Sequence, residues 1–252
     1  MLHQRLNKFL AARGFGSRRA CDELIRAGKV MVNSRKARLG EIIDPEKDCI
    51  KVENHTPGPR QQTKYLKFYK PRGMLCSVKD PFHSNTLANV LSDYPMRLFP
   101  VGRLDKWSEG LLLLCNDGQL AFKLSHPKFG VKKKYLVEIN NLLKSTDLTK
   151  FERGLSLDDG KTLPCRIKLI KSNLKSSQNN CVYNISIKEG KKRQIRRMMA
   201  SLGKKVLSLK RIQIGRLKLE DMKSGEIRPL SKHELKLLFD DINGEKRGAN
   251  LP

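Results

Sequence analysis

The sequence predicts an α+β protein, in which a small α/β module precedes a larger domain built on a mostly antiparallel sheet. Three observations predict it. Segments with period-two apolar alternation dominate after residue 64, helical periodicity is confined to short stretches between them, and the first 53 residues carry their own helix, turn and strand signals. A chain of 252 residues has room for both parts and for a sizeable core.

The elements follow in order. Residues 4–13 place Leu6, Phe9 and Leu10 on one helical face and stop at Gly14. Ser17 then caps a second helix with Cys21, Leu24 and Ile25 inward, ended by Gly28. A strand at 30–32, a turn at Asn33 and Ser34, and a second short strand toward 39–43 complete a module over residues 1–53. Residues 54–63, NHTPGPRQQT, read as a linker, and 64–252 as the second domain. There, 65–70 alternates, Thr86 caps a short helix reaching Tyr94, and 111–115 is a buried strand. Alternation returns at 134–139, 166–170 and 182–188, a helix spans 193–202 before Gly203, and 206–219 holds one or two strands. Ser231 and Glu234 form a capping box for a last helix to Phe239, and the tail after Asp241 is expected to fray.

Lys and Arg outnumber Asp and Glu by 52 to 25, a net charge of +27 that points to a polyanionic partner, nucleic acid first. The first 38 residues alone hold ten Lys and Arg against Asp22 and Glu23, a bias suited to phosphate contacts. No apolar run approaches the length of about 20 residues that spans a bilayer, and no signal segment is recognisable, so a cytoplasmic protein with no membrane partner is expected. The six cysteines include no C-x-x-C pair and the five histidines are dispersed; neither a metal site nor a disulfide framework is expected.

The segment VGRLDKWSEGLLLLCNDG (residues 101–118) sets Asp105 in a Gly-flanked turn beside Arg103, just ahead of an apolar strand. A carboxylate fixed on a braced loop suits catalysis, although a turn of this kind taken alone also fits a capping residue. Three further blocks stand around it in order: FYKPRGM (68–74), KKYLVEI (133–139) and EGKKRQIRRMMASLGKKVLSLKRIQIG (189–215). Together they resemble the RsuA/RluB branch of pseudouridine synthases over nearly the whole chain. RLNKFLAARGFGSRRACDELIRAGKVMVN (5–33) resembles the small RNA-binding module named after ribosomal protein S four. The sequence departs from the branch's pattern at Trp107 and Ser108, where a polar residue and threonine are usual, and at Cys115, where threonine is common.

The resemblance implies a pseudouridine synthase catalytic domain that isomerises uridine already within ribosomal RNA, with no cofactor and with Asp105 as the catalytic aspartate. The carboxylate acts either by covalent attack or by removing a proton in an elimination. A carboxylate in a site that excludes water needs a compensating cation; the resemblance assigns this to Arg196, with Arg197 as the alternative. It places Tyr135 against the target base and Leu209 under it, and Arg103 on the phosphate of an extruded nucleotide. Unaided, a tyrosine and a leucine in alternating strands read as core, and an arginine as a surface ion pair. Arg193, and Arg18 and Arg19 in the N-terminal module, are further candidate substrate contacts. The implied partners are ribosomal RNA or ribosomal assembly intermediates, met by a monomer.

Within the branch, SRRACDELIRAGKVMVN leans toward the large-subunit (23S) type rather than the small-subunit (16S) type. A noncatalytic ribosome-associated RNA-binding protein would share the charge and the N-terminal module but would not need Asp105, Tyr135 and Arg196 together. A metal-dependent nuclease would need clustered carboxylates or histidines, and acids near Asp105 are sparse.

Overall fold

Leu111 to Leu114 are wholly buried, the signature of a strand packed on both faces, and the larger sheet is built around them. The computed structural model describes residues 3–78, 80, 82–173 and 179–243. It divides into two compact units, one of Met1–Thr63 with Tyr94–Leu98, the other of Lys64–Asp93 with Phe99–Pro252.

In the first unit, β1 (Gln4–Arg5) leads into α1 (Leu6–Ala11) and α2 (Arg18–Arg26), followed by β2 (Val30–Val32), β3 (Arg35–Lys36), β4 (Ile42–Ile43) and β5 (Ile50–Val52). The Ser17 hydroxyl accepts from Ala20 N at 3.0 Å, as its capping role requires, and Leu6, Phe9, Leu10, Cys21 and Ile25 form one core with the strands. The strand expected over 39–43 is shorter and pairs with β1 instead of continuing the β2–β3 hairpin. Part of the stretch read as a linker is tied down within this unit, because Gln61 N donates to Ala12 O at 3.0 Å.

The second unit runs β6 (Tyr65–Lys70), α3 (Leu87–Leu91), β7 (Phe99–Pro100), β8 (Glu109–Cys115), α4 (Gly118–Ser125), β9 (Lys133–Asn140) and α5 (Ser145–Arg153). There follow β10 (Ser156–Leu157), β11 (Gly160–Lys161), β12 (Arg166–Asn173), β13 (Asn180–Ile187), α6 (Gln194–Ser201), β14 (Val206–Ile214), β15 (Leu217–Lys218), β16 (Ile227–Pro229) and α7 (Lys232–Asn243). Among the described residues the main sheet runs β12-β13-β9-β14-β8-β6-β16, with β15 on β14 and β7 on β8. The expected antiparallel character holds except at the centre, where β14 and β8 pair in parallel, Lys210 opposite Glu109 and Arg211 opposite Gly110. Gly110 makes that approach possible: at φ 101° a Cβ there would overlap the Arg211 carbonyl. Of the frayed tail expected after Asp241, α7 takes residues as far as Asn243, and 244–252 lie outside the described residues.

Strand β6 departs from its expected alternation because Lys67 and Lys70 are buried with the apolar residues between them. Lys67 Nζ is fully buried and donates to Glu234 at 3.0 Å and to Glu220 at 2.9 Å. Glu234 also accepts from both Arg228 nitrogens and from Ser231 N, while its own N–H bonds Ser231 Oγ, completing the expected capping box. Burial opposes the ionised carboxyl, but the bonds from Arg228, Ser231 and Lys67 outweigh it and hold Glu234 down to about 2.

Glu234→Gln leaves the Lys67 charge buried against only the half-exposed Glu220, and is expected to cost about 3 kcal/mol, the low end for a broken buried pair. The unfolding midpoint at neutral pH should fall by about 6–12 °C. Because the folded group ionises near 2 and an unfolded glutamate near about 4.3, the wild-type advantage is complete above the latter and fades as pH falls through the former. Thermal unfolding of both proteins at pH 7 and at pH 2 checks it; equal midpoints at pH 7 would refute a stabilising network.

Candidate active site

Asp105 lies in the turn between β7 and β8, and every main-chain carbonyl from Asp105 to Ser108 has a donor. Ser108 N bonds Asp105 O at 3.0 Å and Gly73 N bonds Lys106 O at 2.7 Å. Arg196 Nη2 bonds Trp107 O at 2.8 Å, and the buried Lys70 Nζ bonds Ser108 O at 2.7 Å. Leu104 N donates to Cys76 Sγ at 3.4 Å on the other side of the aspartate. A turn held at each peptide fixes the main chain from which the carboxylate projects, the support a reacting group requires.

The floor beside it is apolar. Leu104, the chain neighbour of Asp105, belongs to one cluster with Tyr135, Leu209, Ile185, Ile195 and Met198, so both residues expected around a target base share an apolar cluster with it. Leu209 sits opposite Val137, and Arg211 opposite Tyr135, on adjacent strands, which puts their side chains on one face of the sheet. Tyr135 is 7% exposed, and among the described residues its hydroxyl makes no hydrogen bond; its ring is the part the fold has fixed.

Arg196, on α6, donates from Nη1 to Val206 O at 3.2 Å as well as to Trp107 O, and among the described residues it closes no ion pair with Asp105. The two charges interact nonetheless. Burial pulls the Arg196 guanidinium below the usual arginine range, Arg193 and Arg72 add to that, and Asp105 is the anion that opposes it. Arg197 is committed elsewhere, in a two-pronged pair with Asp159 at 2.9 and 3.0 Å, which removes it as the partner of Asp105. Arg193 precedes α6 in the left-handed region at φ 51° and is exposed, as is Arg103. Arg18 and Arg19 begin α2 in the first unit and are also exposed.

Sequence reading missed a row of cations behind the turn. Lys70 and Arg211 are 0% and 2% exposed, and Arg211 Nε donates to Leu111 O at 2.7 Å while its Nη2 has no partner among the described residues. Burial lowers the Lys70 ammonium, opposed by Cys76, Asp105 and Glu109; burial and then Arg211 bring Lys133 down to about 8. Lys70 and Arg196, the two cations whose charges interact with Asp105, thus set positive charge beside the turn, which suits a phosphodiester. Among the described residues no three His, Cys, Asp or Glu gather as a metal site, and no helix is long and apolar enough to cross a membrane.

Residues 64–201 match the family described as RNA pseudouridylate synthase, and residues 4–49 match the S4 domain. The chain belongs to the pseudouridine synthases. It is similar to ribosomal large subunit pseudouridine synthase B of Bacillus subtilis, 37% identical over 93% of this chain and 95% of that protein. The Vibrio cholerae protein of the same name is 34% identical over 87% of this chain and 68% of its own length. Among solved structures, a crystal structure of a pseudouridylate synthase superposes with a TM-score of 0.66 at 30% identity, covering 93% of this chain and 99% of that one. The synthase is thus of the RsuA/RluB type with an N-terminal S4 domain, on the mixed, mostly antiparallel sheet described above.

Proposed function

We propose that this synthase converts a uridine of large-subunit (23S) ribosomal RNA to pseudouridine, with Asp105 as the reacting carboxylate. The observation that carries the reading is the Asp105 turn: an acidic side chain on a fully bonded main chain, beside an apolar floor of Tyr135 and Leu209 and under the charge of Arg196. Relatives named for the large subunit support the substrate.

A base cannot rotate inside a stack, so the uridine is extruded onto the Tyr135 ring, where stacking holds the uracil while its bond to ribose is broken and remade at carbon. Asp105 either attacks covalently or takes the proton of an elimination, and Arg196 compensates its charge in both routes. Arg103 and Arg193 contact phosphates near the extruded nucleotide, and the domain over residues 1–53 supplies further phosphate contacts through Arg18 and Arg19. The enzyme works in the cytoplasm on ribosomal RNA or an assembly intermediate, as a monomer and without a cofactor.

Mapping pseudouridines in ribosomal RNA from cells lacking the protein tests this. One large-subunit position is expected to revert to uridine and to be restored by the purified enzyme. A reverted small-subunit position would establish the 16S alternative, and an unchanged map would favour a noncatalytic RNA-binding protein. The placement role of the first domain has its own measurement: replacing Arg18 and Arg19 by Ala should lower the slope of log affinity against log salt by about 0.7–0.9 for each phosphate contact removed. An unchanged slope would show that these two side chains do not meet the backbone.

A further inference from the structure

Trp107 is the chain's single tryptophan, and it stands two residues beyond Asp105 with 51% of its surface exposed. A lone exposed ring is ordinary on a protein surface, so what marks Trp107 is its place, two residues from Asp105 and with two cations near its ring. The indole is not needed to hold its own turn, because the bonds that fix residues 105–108 come from Ser108 N, Gly73 N, Lys70 Nζ and Arg196 and end on main-chain carbonyls. What those bonds do is fix the main chain from which the ring projects. The Trp107 carbonyl is anchored by Arg196, so the side chain leaves a rigid main chain beside the reacting carboxylate.

Two cations flank the ring, with the Arg72 guanidinium 5.9 Å and the Lys106 ammonium 5.5 Å from its centroid. Gly73 N bonding Lys106 O ties the turn that carries Arg72 to the turn that carries Trp107, so ring and cations form one assembly. An aromatic ring with two cations beside it suits one ligand class above others, a nucleotide whose base stacks on the ring while its phosphates meet the charges. On the proposed reading Tyr135 and Leu209 take the target base, which leaves Trp107, outside their cluster, for a neighbouring one.

We propose that Trp107 is a stacking platform for the nucleobase next to the target uridine, with Arg72 and Lys106 taking the adjoining phosphates. This rests on the reading that the Asp105 site acts on RNA. Extrusion of the uridine exposes the face of its neighbour, and a ring that covers that face stabilises the extruded state and selects the local sequence by stacking strength.

Because position 107 holds the chain's single tryptophan, intrinsic emission reports on this ring alone. The full-length Asp105→Asn protein is titrated with a single-stranded RNA 12-mer carrying a central uridine, and with the same 12-mer bearing abasic residues on both sides of that uridine. The intact RNA is expected to quench the emission and the abasic one to leave it close to the free value; equal quenching by both, or none by either, overturns the proposal. In parallel, Trp107→Ala in the otherwise wild-type enzyme should lower kcat/KM on unmodified large-subunit transcript by roughly 5- to 150-fold, the span of one lost stack, and Trp107→Phe should recover most of it. An Ala variant as active as wild type overturns the proposal too. If instead the wild-type enzyme makes no pseudouridine while the emission still distinguishes the two RNAs, the failure lies with the assigned reaction and not with the platform.

Discussion

Asp105→Asn is expected to lower single-turnover pseudouridine formation by about 10⁴-fold or more, because an amide can neither attack as a nucleophile nor accept the proton of an elimination. The same substitution should leave the protein folded at a cost of about 1 kcal/mol, since it removes no hydrogen bond among the described residues but takes away an anion that opposes the burial of Lys70 and Arg196. Among the described residues the turn is held by its main-chain carbonyls, through Ser108 N, Gly73 N, Arg196 and Lys70, and none of those bonds uses the Asp105 side chain. RNA affinity should likewise stay within a few-fold, since it rests on cations spread over both units and the substitution removes one negative charge. Three measurements on one preparation check this: the unfolding midpoint, the dissociation constant for unmodified transcript, and the yield of pseudouridine in a single turnover. Turnover within tenfold of wild type would remove Asp105 from the chemistry; a lost fold would make the turn, and not the carboxylate, the essential feature.

What the sequence made legible was local. The Ser17 cap, the turn at Asn33 and Ser34, the apolar run into β8 and the Ser231–Glu234 box are decided by residues within a few positions of one another, and each stands in the structure. The shared cluster of Tyr135 and Leu209 was legible only through the ordered family blocks, because a tyrosine or leucine in an alternating strand is ordinarily core, and Leu104 was not marked at all. The features that escaped depend on distant partners. Lys67 reads as a solvent-facing residue until Glu220 and Glu234, 153 and 167 positions away, neutralise it. The parallel pairing of β14 with β8 depends on Gly110 meeting Arg211, and the joining of residues 94–98 to the first unit has no marker in the pattern around Tyr94. Helices α4 and α5 also went unmarked, although Asp117, whose carboxylate accepts from Gln119 N and Leu120 N, is the kind of cap that could have shown the first. Arg197 and Arg196 are adjacent and chemically alike, and only the pair that Arg197 makes with Asp159 tells them apart.

Arg196→Met should lower the maximum single-turnover rate by about 10²–10³-fold, the scale of losing one preorganised charge at a reacting centre. The substitution keeps an apolar stem of similar length on α6 and removes the guanidinium whose charge interacts with Asp105. It also frees the Trp107 and Val206 carbonyls, so a fall in rate alone would not separate an electrostatic role from a structural one. The pH profile does. If the charge supports the reactive carboxylate, removing it displaces the acidic limb of the rate profile to higher pH, because protonation then competes over a wider range. If Arg196 only holds the turn, the rate falls by the same factor at every pH and the limb stays where it was. Arg196→Lys sharpens the contrast: it keeps a positive charge but not the planar fork that reaches two carbonyls, so its limb should lie near that of wild type while its maximum falls between the other two. Should all three proteins share one acidic limb, the cation that supports Asp105 is to be sought at Lys70, buried behind the same turn and within electrostatic reach of it, since Arg197 is already bound to Asp159.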